Sequence, residues 1–174
     1  MARASTADFL QNFRFHAKVN IEDGVDADAL GFSAEGKYQT EAGFNSVSTP
    51  EYSIESTEYR DGITTYTMKQ PGFPTVNELT FSRGVVLKDT TFLDWALRVW
   101  DNQAYRADID IYHYGKQAVE SKSGGFDASK GRIIKAYNAY PIRVKPAADL
   151  DATGTDIALQ EMDVAFEYFE IIKP

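Results

Sequence analysis

The chain has 174 residues, a mass of 19.5 kDa, no cysteine and a formal net charge of -8 at pH 7. This length fits one domain and buries enough surface to fold without a covalent staple. The lack of cysteine excludes disulfide scaffolds, thiolate zinc sites and cysteine nucleophiles. The acidic balance argues against binding nucleic acid through a basic face that neutralises phosphates.

The content of aromatic residues, eleven Phe, ten Tyr and two Trp, favours β structure. No stretch approaches the roughly 18 consecutive apolar residues of a membrane span, so we expect no membrane insertion. The first eight residues lack the apolar core of a signal peptide, which predicts folding in a cytoplasm.

The first part of the chain predicts a short lead-in and then a half-buried strand. Residues 1–11 are expected to be a flexible segment, followed by a single β domain over residues 12–174. Within residues 12–20, four apolar residues alternate with polar ones, which is the period of a strand with one wet face. The apolar residues are Phe13, Phe15, Ala17 and Val19. Residues 32–40 resume an extended pattern.

The next segment predicts three strands separated by turns. Residues 52–59 alternate and are rich in β-forming residues, and Asp61-Gly62 supplies a turn. Residues 63–68 favour a second strand. Residues 71–74 (Pro-Gly-Phe-Pro) are predicted to be a loop, because proline cannot donate to a strand ladder. Residues 76–83 predict the third strand.

One helix interrupts the strands. Residues 89–91 (Asp-Thr-Thr) offer N-cap oxygens, and residues 92–101 follow without Gly or Pro. Apolar residues surround this helix on most sides, so it needs cover on most sides. We therefore expect Phe92, Trp95 and Trp100 to pack the helix against a sheet or against a neighbouring subunit.

The last third of the chain predicts three more strands and a long arm. Residues 107–114 and 132–140 read as strands, the second ending at Pro141, and residues 156–172 as one further strand. The polar segment 115–131 between the first two is predicted to be a long hairpin arm. Four residues of this arm are candidates for assembly contacts: Lys122, Gly124, Gly125 and Phe126.

Charge is unevenly spread over this region. Residues 116–145 carry seven of the eighteen bases, whereas residues 149–170 carry seven acids and no base. Two interpretations remain open. Either the two surfaces are solvated independently, or the basic hairpin meets the acidic last strand within one subunit or between two.

Motifs that carry chemistry are weak or absent. His16 and His113 lie in predicted strands without the spacing of metal ligands. Residues 149–154 resemble the start of a calcium loop, but Gln160 occupies the position that requires Glu. We therefore predict no catalytic, metal or cofactor site and expect the protein not to be an enzyme.

Seven short segments stand out by their order and spacing. They are 8–15 (Asp-Phe-Leu-Gln-Asn-Phe-Arg-Phe), 58–62 (Glu-Tyr-Arg-Asp-Gly), 69–72 (Lys-Gln-Pro-Gly), 79–85 (Leu-Thr-Phe-Ser-Arg-Gly-Val), 92–95 (Phe-Leu-Asp-Trp), 136–143 (Ala-Tyr-Asn-Ala-Tyr-Pro-Ile-Arg) and 161–168 (Glu-Met-Asp-Val-Ala-Phe-Glu-Tyr). In this order they resemble the tail tube protein family of T4-like phages and phage-derived contractile injection systems, and the resemblance covers about residues 8–172.

The resemblance implies a mainly β, Hcp-like fold: a barrel or sandwich of antiparallel strands with one flanking helix. It implies six-fold rings stacked into a hollow tube inside a contractile sheath. The expected partners are other copies of the chain, the sheath protein, a baseplate or tube initiator, a tape measure and a terminator. DNA or an effector would be transient cargo, and the particle would be a virion tail or injection machine assembled in a bacterial cytoplasm.

An acidic lumen would let polyanionic DNA slide without sticking. Five acids are candidates for facing such a lumen, because each set lines one face of a predicted strand: Asp108, Asp110, Glu161, Asp163 and Glu167.

Other functions stay open at this point. The chain could be a tube initiator, a baseplate protein or a type VI secretion tube protein of the same fold. A monomeric β-sandwich that binds carbohydrate through its Tyr and Trp residues is an alternative of another class. An enzyme on a β scaffold is the third reading.

Overall fold

Strands dominate the computed structural model. It describes residues 10–21, 44–63, 65–85, 90–102, 105–115, 131–148, 155 and 157–172. Its elements are β1 (Leu10–Ile21), β2 (Phe44–Val47), β3 (Tyr52–Tyr59), β4 (Met68–Val76), β5 (Leu79–Gly84), α1 (Thr91–Trp100), β6 (Ala107–Gly115), β7 (Gly131–Lys145), β8 (Leu159–Ala165) and β9 (Tyr168–Ile172). The expected mainly β class with one flanking helix is confirmed.

Seven of the strands form one antiparallel sheet that curls around the core. The hydrogen-bonded order is β1-β6-β7-β8-β5-β2, and β9 also pairs with β7. The end strands β1 and β2 approach each other without pairing. The curled sheet is therefore a sandwich, which is one of the two expected architectures. β3 and β4 form a separate hairpin.

The inward-facing residues of this sheet form one core. Alternation along β8 confirms the predicted period of two, because Met162 and Val164 are buried between the more exposed Glu161 and Asp163. The buried apolar residues of the cluster are Ala17, Leu79, Phe81, Phe92, Trp95, Ala107, Ile109, Ile111, Ile134, Ala136, Ala139, Met162, Val164 and Phe166.

The helix is found where the sequence predicts it, and it buries only one of its apolar faces. Phe92 and Trp95 lie in the core, and the indole Nε1 of Trp95 donates to the carbonyl oxygen of Tyr105 at 2.7 Å. Leu93, Leu97 and Trp100 are exposed. The helix therefore packs one apolar face into the core of its own subunit and leaves a second apolar stripe exposed.

A buried arginine joins the helix to the sheet. Arg83 is fully buried at the end of β5, and its guanidinium lies 3.9 Å from the ring centroid of Phe92. With the amide of Gln160 turned toward it, Arg83 Nε donates to the amide oxygen at 2.7 Å. Cation–π contact and hydrogen bonding together offset part of the cost of burying this charge.

Two predictions about proline-containing segments are wrong. Residues 71–74 lie inside β4 and not in a loop, whereas the described residues among 63–67 form turns and bends before β4 begins at Met68. Among the described strands β4 pairs only with β3, and the register of this pairing shifts between Pro71 and Pro74, an irregular place where proline is tolerated. Strand β7 likewise continues through Pro141, where its pairing becomes irregular.

The boundaries of the outer segments also differ from expectation. β1 begins at Leu10, inside the segment predicted to be flexible, and the predicted strand 156–172 is two strands, β8 and β9. β8 pairs with the second part of β7, and β9 pairs with its first part. The predicted strand 32–40 and residues 116–130 of the arm lie outside the described residues.

The two strands that flank the arm pair with each other. Its flanking strands β6 and β7 are antiparallel, with Tyr114 opposite Gly131. A Cβ on Gly131 would lie 2.6 Å from the carbonyl oxygen of His113, so glycine allows the two backbones to approach here. No helix in the described part of the chain is long and apolar enough to cross a membrane.

We expect Phe81→Ala to lower the free energy of unfolding by about 3–5 kcal/mol, because it removes a ring that is 1% exposed and leaves a cavity. The matched control is Phe73→Ala in β4, where the ring is 88% exposed and the change should stay within about 0.5 kcal/mol. Urea unfolding of both variants measures the difference. Similar losses in the two would contradict the assigned core.

Candidate assembly surfaces

The five acids predicted to face a lumen lie at three places on the outside of the curled sheet. Asp108 and Asp110 are on β6, Glu161 and Asp163 are on β8, and Glu167 lies between β8 and β9. Strand β7 separates the first place from the second. The structure therefore does not gather these acids into one patch.

The acids on β6 contact polar and basic side chains of the neighbouring strands. Lys135 Nζ lies 3.2 Å from Asp108 Oδ2, and Asn20 Nδ2 donates to Asp110 Oδ2 at 2.6 Å. Partial burial disfavours the charged form of Lys135, but the hydrogen bond and charge of Asp108 outweigh it and raise the pKa of Lys135. Lys135 therefore stays protonated at neutral pH.

The acids on β8 share one arginine of β7. Arg143 Nε donates to Asp163, and Arg143 Nη2 lies 3.4 Å from Glu161 Oε2. Thr80 Oγ1 also donates to Asp163 Oδ1 at 3.0 Å. The hydrogen bond from Arg143 lowers the pKa of Asp163 although partial burial opposes the shift. Asp163 is therefore ionised throughout the neutral range.

Glu167 helps to hold a kink in β7. Asn138 adopts a left-handed backbone with φ of 54°, a conformation that Asn tolerates better than most residues. Its Nδ2 donates to Glu167 Oε2 at 2.8 Å, and its backbone N–H donates to Asp108 Oδ1 at 3.3 Å. Arg106 Nη1 lies 2.7 Å from Glu167 Oε1. Asn138 and Arg106 together lower the pKa of Glu167.

These contacts decide between the two interpretations of the charge pattern. The basic strand β7 lies beside the acidic strands β8 and β9 within one subunit, and Arg143 joins two of their acids. The interpretation in which the two segments meet is confirmed, and the meeting is internal. Each of these ion pairs also reduces the field that its acid projects into solvent.

The residues predicted for assembly contacts fall into three groups. Phe92 and Trp95 are buried in the core of their own subunit and offer no surface to a neighbour. Trp100 is 87% exposed. It lines an open groove of about 380 Å³ between α1 and β7, together with Pro141 and Ile142. Lys122, Gly124, Gly125 and Phe126 of the arm lie outside the described residues.

The hairpin of β3 and β4 is an exposed apolar surface that the sequence reasoning missed. Every residue of β3 is exposed, and so is most of β4. Its apolar side chains include Ile54 and Phe73, which are 61% and 88% exposed. The signal in the sequence is the alternation of apolar and polar residues in 52–59, which indicates a strand but not whether its apolar half is covered. The hairpin reaches away from the core, so that half has no cover in the described subunit.

The curled sheet also has open edges. Among the described strands, β1 pairs only with β6 and β9 only with β7. One side chain reaches the far edge of β9, because the hydroxyl of Tyr52 donates to the carbonyl oxygen of Phe169 at 3.3 Å and the two rings stack. Unpaired edges of this length invite pairing with another chain.

Neither histidine lies in a cluster of metal ligands, and the described residues contain no group of three or more His, Asp or Glu that could hold a metal ion. Burial, assisted by the charge of Lys18, lowers the pKa of His16 to about 4, so His16 is neutral at pH 7. His113 lines an open cavity of about 520 Å³ between β1 and β2, with Phe15, Ile111 and Ile134.

A single-core antiparallel sandwich with an exposed apolar hairpin and open strand edges defines a structural subunit of the kind that associates with copies of itself. The chain belongs to the T4-like virus tail tube protein gp19 family, whose sequence model matches residues 11–170. The resemblance predicted from the seven segments is confirmed. The family is one of structural tube proteins. No curated protein matches the sequence.

Solved structures share this fold. A chain of the sheath-tube complex of the PVC extracellular contractile injection system in its extended state is 23% identical, with both chains covered completely and a TM-score of 0.68. A chain of the PVC sheath/tube terminator is 24% identical over 94% of this chain and 96% of its own, with a TM-score of 0.65. A chain of the anti-feeding prophage baseplate is 14% identical over 99% and 98%, with a TM-score of 0.68.

We expect Arg143→Gln to lower the free energy of unfolding at pH 7, because Asp163 and Glu161 lose their shared base. The folded-state pKa of Asp163 lies below its ordinary value of 3.8, so the stabilisation is complete above that value and is lost as the pH falls through the folded pKa. The difference from the unchanged protein should therefore shrink between about pH 4 and pH 2.

Urea unfolding at a series of pH values measures this difference. Lys69→Gln is the control, because Lys69 lies 2.9 Å from Glu58 in the exposed hairpin, where solvent screens the pair. A difference for Arg143→Gln that is unchanged from pH 7 to pH 2 would exclude the ion pair as its cause.

Proposed function

We propose that this chain forms closed six-fold rings that stack into a hollow tube inside a contractile sheath. Membership of the tail tube family supports a structural tube protein as the class. Two features of the subunit support the ring and its stacking, namely its open strand edges and its exposed hairpin. Head-to-tail contacts between unlike surfaces close into rings when the rotation between copies closes.

The observation that carries the proposal is the hairpin of β3 and β4. An isolated two-stranded hairpin is marginally stable in water. This one exposes Ile54, Tyr59, Met68 and Phe73. A second copy that covers these side chains would remove the apolar surface and stabilise the hairpin at once. We assign the hairpin to contacts between stacked rings.

The partners follow from the assemblies in which similar chains are found. Similar folds occur in a sheath-tube complex, a sheath/tube terminator, a tube-terminating cap and a baseplate. We extend these associations to this chain: a sheath around the tube, a baseplate or initiator at one end and a terminator at the other. A tape measure protein would occupy the lumen during assembly.

The location and cargo complete the proposal. The tube would belong to a virion tail or an injection particle assembled in a bacterial cytoplasm, with DNA or an effector protein as transient cargo. Passage needs no bond to be made or broken, so we propose no enzymatic activity. Asp108, Asp110, Glu161, Asp163 and Glu167 remain candidates for the lumen surface, although the partners described above lower the negative field around them.

A terminal ring of the same fold is the second candidate, because the similar chains include terminator, cap and baseplate proteins. Such a subunit would form single rings and not extended tubes. A monomeric carbohydrate-binding module would instead stay a monomer at every concentration.

Negative-stain electron microscopy of the purified protein, combined with light scattering on a sizing column, tests the proposal. Long hollow tubes with six-fold end views support a bulk tube protein, and six-fold rings without tubes support a terminal ring. A monomer that stays single when baseplate components are added would overturn both.

We expect Phe73→Ser to weaken stacking and to leave single rings intact, because it removes exposed apolar surface from the hairpin without touching the core. The concentration needed for tube formation should rise about tenfold. Thr75→Ser, two residues further along the same strand, is the matched control. Tube lengths in micrographs measure the effect, and tubes as long as those of the control would contradict the role of the hairpin.

A further inference from the structure

The hairpin of β3 and β4 ends in a turn that contains the dipeptide Asp61-Gly62. The last pair of its ladder joins Tyr59 to Met68, so the dipeptide lies beyond the hydrogen-bonded strands. Both residues are exposed, and Ile63, which follows them, is 91% exposed. Within the described subunit the tip therefore projects into solvent, and its backbone moves more freely than that of a strand.

The side chain of Asp61 is folded back over the peptide that follows it. The backbone N–H of Ile63 donates to Asp61 Oδ1 at 3.3 Å, which is the hydrogen bond of an Asx turn. This hydrogen bond closes a ring around the Gly62 peptide and holds the Asp61 carboxyl beside it. Groups that are held close together react faster than groups that must first meet.

Glycine at position 62 leaves the approach to this carboxyl open. A Cβ at Gly62 would meet no atom within 4 Å, so solvent surrounds the residue. Because glycine itself has no Cβ, its nitrogen turns toward the Asp61 carboxyl carbon without a steric clash. The other described aspartates are each followed by a larger residue: Asp94, Asp101, Asp108, Asp110 and Asp163.

We propose that Asp61 isomerises spontaneously to isoaspartate through a cyclic imide with Gly62. The Gly62 nitrogen attacks Cγ of the protonated Asp61 carboxyl, an N–Cγ bond forms, and the hydroxyl leaves as water together with the amide proton. Water then opens the five-membered ring at one of its two carbonyl carbons. Breaking the new bond restores aspartate, whereas breaking the bond to the original backbone carbonyl carbon leaves isoaspartate. One water leaves and one returns, so the step needs no oxidant, reductant or enzyme.

Isomerisation changes the shape of the hairpin tip without changing its mass. The main chain then runs through the β-carbon of residue 61, which adds one atom to the backbone of the turn. The original backbone carbonyl becomes a free carboxylate on a short side chain. The ends of β3 and β4, with Tyr59 and Met68, must shift to accommodate the longer turn, because turn length sets the register of a hairpin.

The reaction distinguishes free subunits from assembled ones, and this part of the inference rests on the proposed function. Stacking of rings would cover the hairpin and hold its backbone, which removes the freedom that closure of the imide requires. Isoaspartate should therefore accumulate in subunits that have not assembled and not in tubes. Subunits that have isomerised should then need a higher concentration to form tubes.

Peptide mapping of the purified protein tests the modification. Cleavage after lysine releases residues 38–69, in which Asp61 is the one aspartate. During incubation at neutral pH, a second form of this peptide with the same mass should increase with time. Fragmentation of the second form should locate isoaspartate at residue 61. Deamidation of Asn45 in the same peptide changes the mass and is therefore distinguished from isomerisation.

Two variants and a peptide are matched controls. Asp61→Glu would have to close a larger ring and should lose the second form. Gly62→Ala should slow isomerisation by about tenfold, because a Cβ crowds the attacking nitrogen. Gly62 lies outside the left-handed region and in open space, so alanine fits there, and circular dichroism checks the fold of both variants. A synthetic peptide of residues 58–66 gives the rate without the fold, and the protein should react within about tenfold of it.

The same samples test the consequence for assembly. Unchanged subunits that are incubated before assembly should form fewer tubes than fresh ones. Asp61→Glu subunits that are incubated for the same time should form as many tubes as fresh Asp61→Glu subunits. A loss of assembly that is equal in the two proteins would overturn isoaspartate as its cause.

The outcomes separate the modification from the proposed function. A second form that grows in the unchanged protein and is lost in Asp61→Glu supports the inference. A single form that persists while the synthetic peptide isomerises would overturn it. Equal rates in tubes and in free subunits would overturn the covering of the tip by stacking and leave the modification standing. A protein that forms no tubes would overturn the proposed function, and the peptide map of the free subunit would still decide the modification.

Discussion

Strand β7 is the constraint on which the rest of the fold depends. Its first half pairs with β6 on one side and β9 on the other, and its second half pairs with β8. β7 therefore connects the strands β1 and β6 on one side of the core to the strands β8, β5 and β2 on the other. Left-handed Asn138 kinks it, and Glu167 and Asp108 hold that kink through hydrogen bonds. The curled sheet thus encloses the apolar core with one continuous set of hydrogen-bonded strands.

Curling also decides which surfaces are left for other molecules. Phe92 and Trp95 of the helix are buried in the core, so its exposed apolar residues are Leu93, Leu97 and Trp100. The hairpin of β3 and β4 lies off the curled sheet and remains apolar and uncovered. Among the strands that the structure describes, β1 and β9 each keep one unpaired edge. A subunit built this way has a core of its own, and its remaining apolar and hydrogen-bonding groups favour association.

The protein carries a net negative charge, but several of its acids form ion pairs with basic side chains. A net charge of -8 suggested a repulsive acidic lining, but the acids of β6 and β8 and Glu167 lie beside Lys135, Arg143 and Arg106. Such pairs contribute little to stability at an exposed surface.

The sequence by itself determined the strands whose alternation of apolar and polar residues is strong, the family, and the helix, which it predicts at residues 92–101 and which lies at 91–100. Period two in β8 and the absence of Gly and Pro in the helix are local properties, so they can be read from neighbouring residues. Only the tertiary structure decided that residues 71–74 and Pro141 belong to strands, since proline is tolerated where pairing is one-sided or irregular. It also decided that Phe92 and Trp95 are core and that the predicted acids are paired. Which residues face one another depends on how the sheet curls, and no local pattern contains that information.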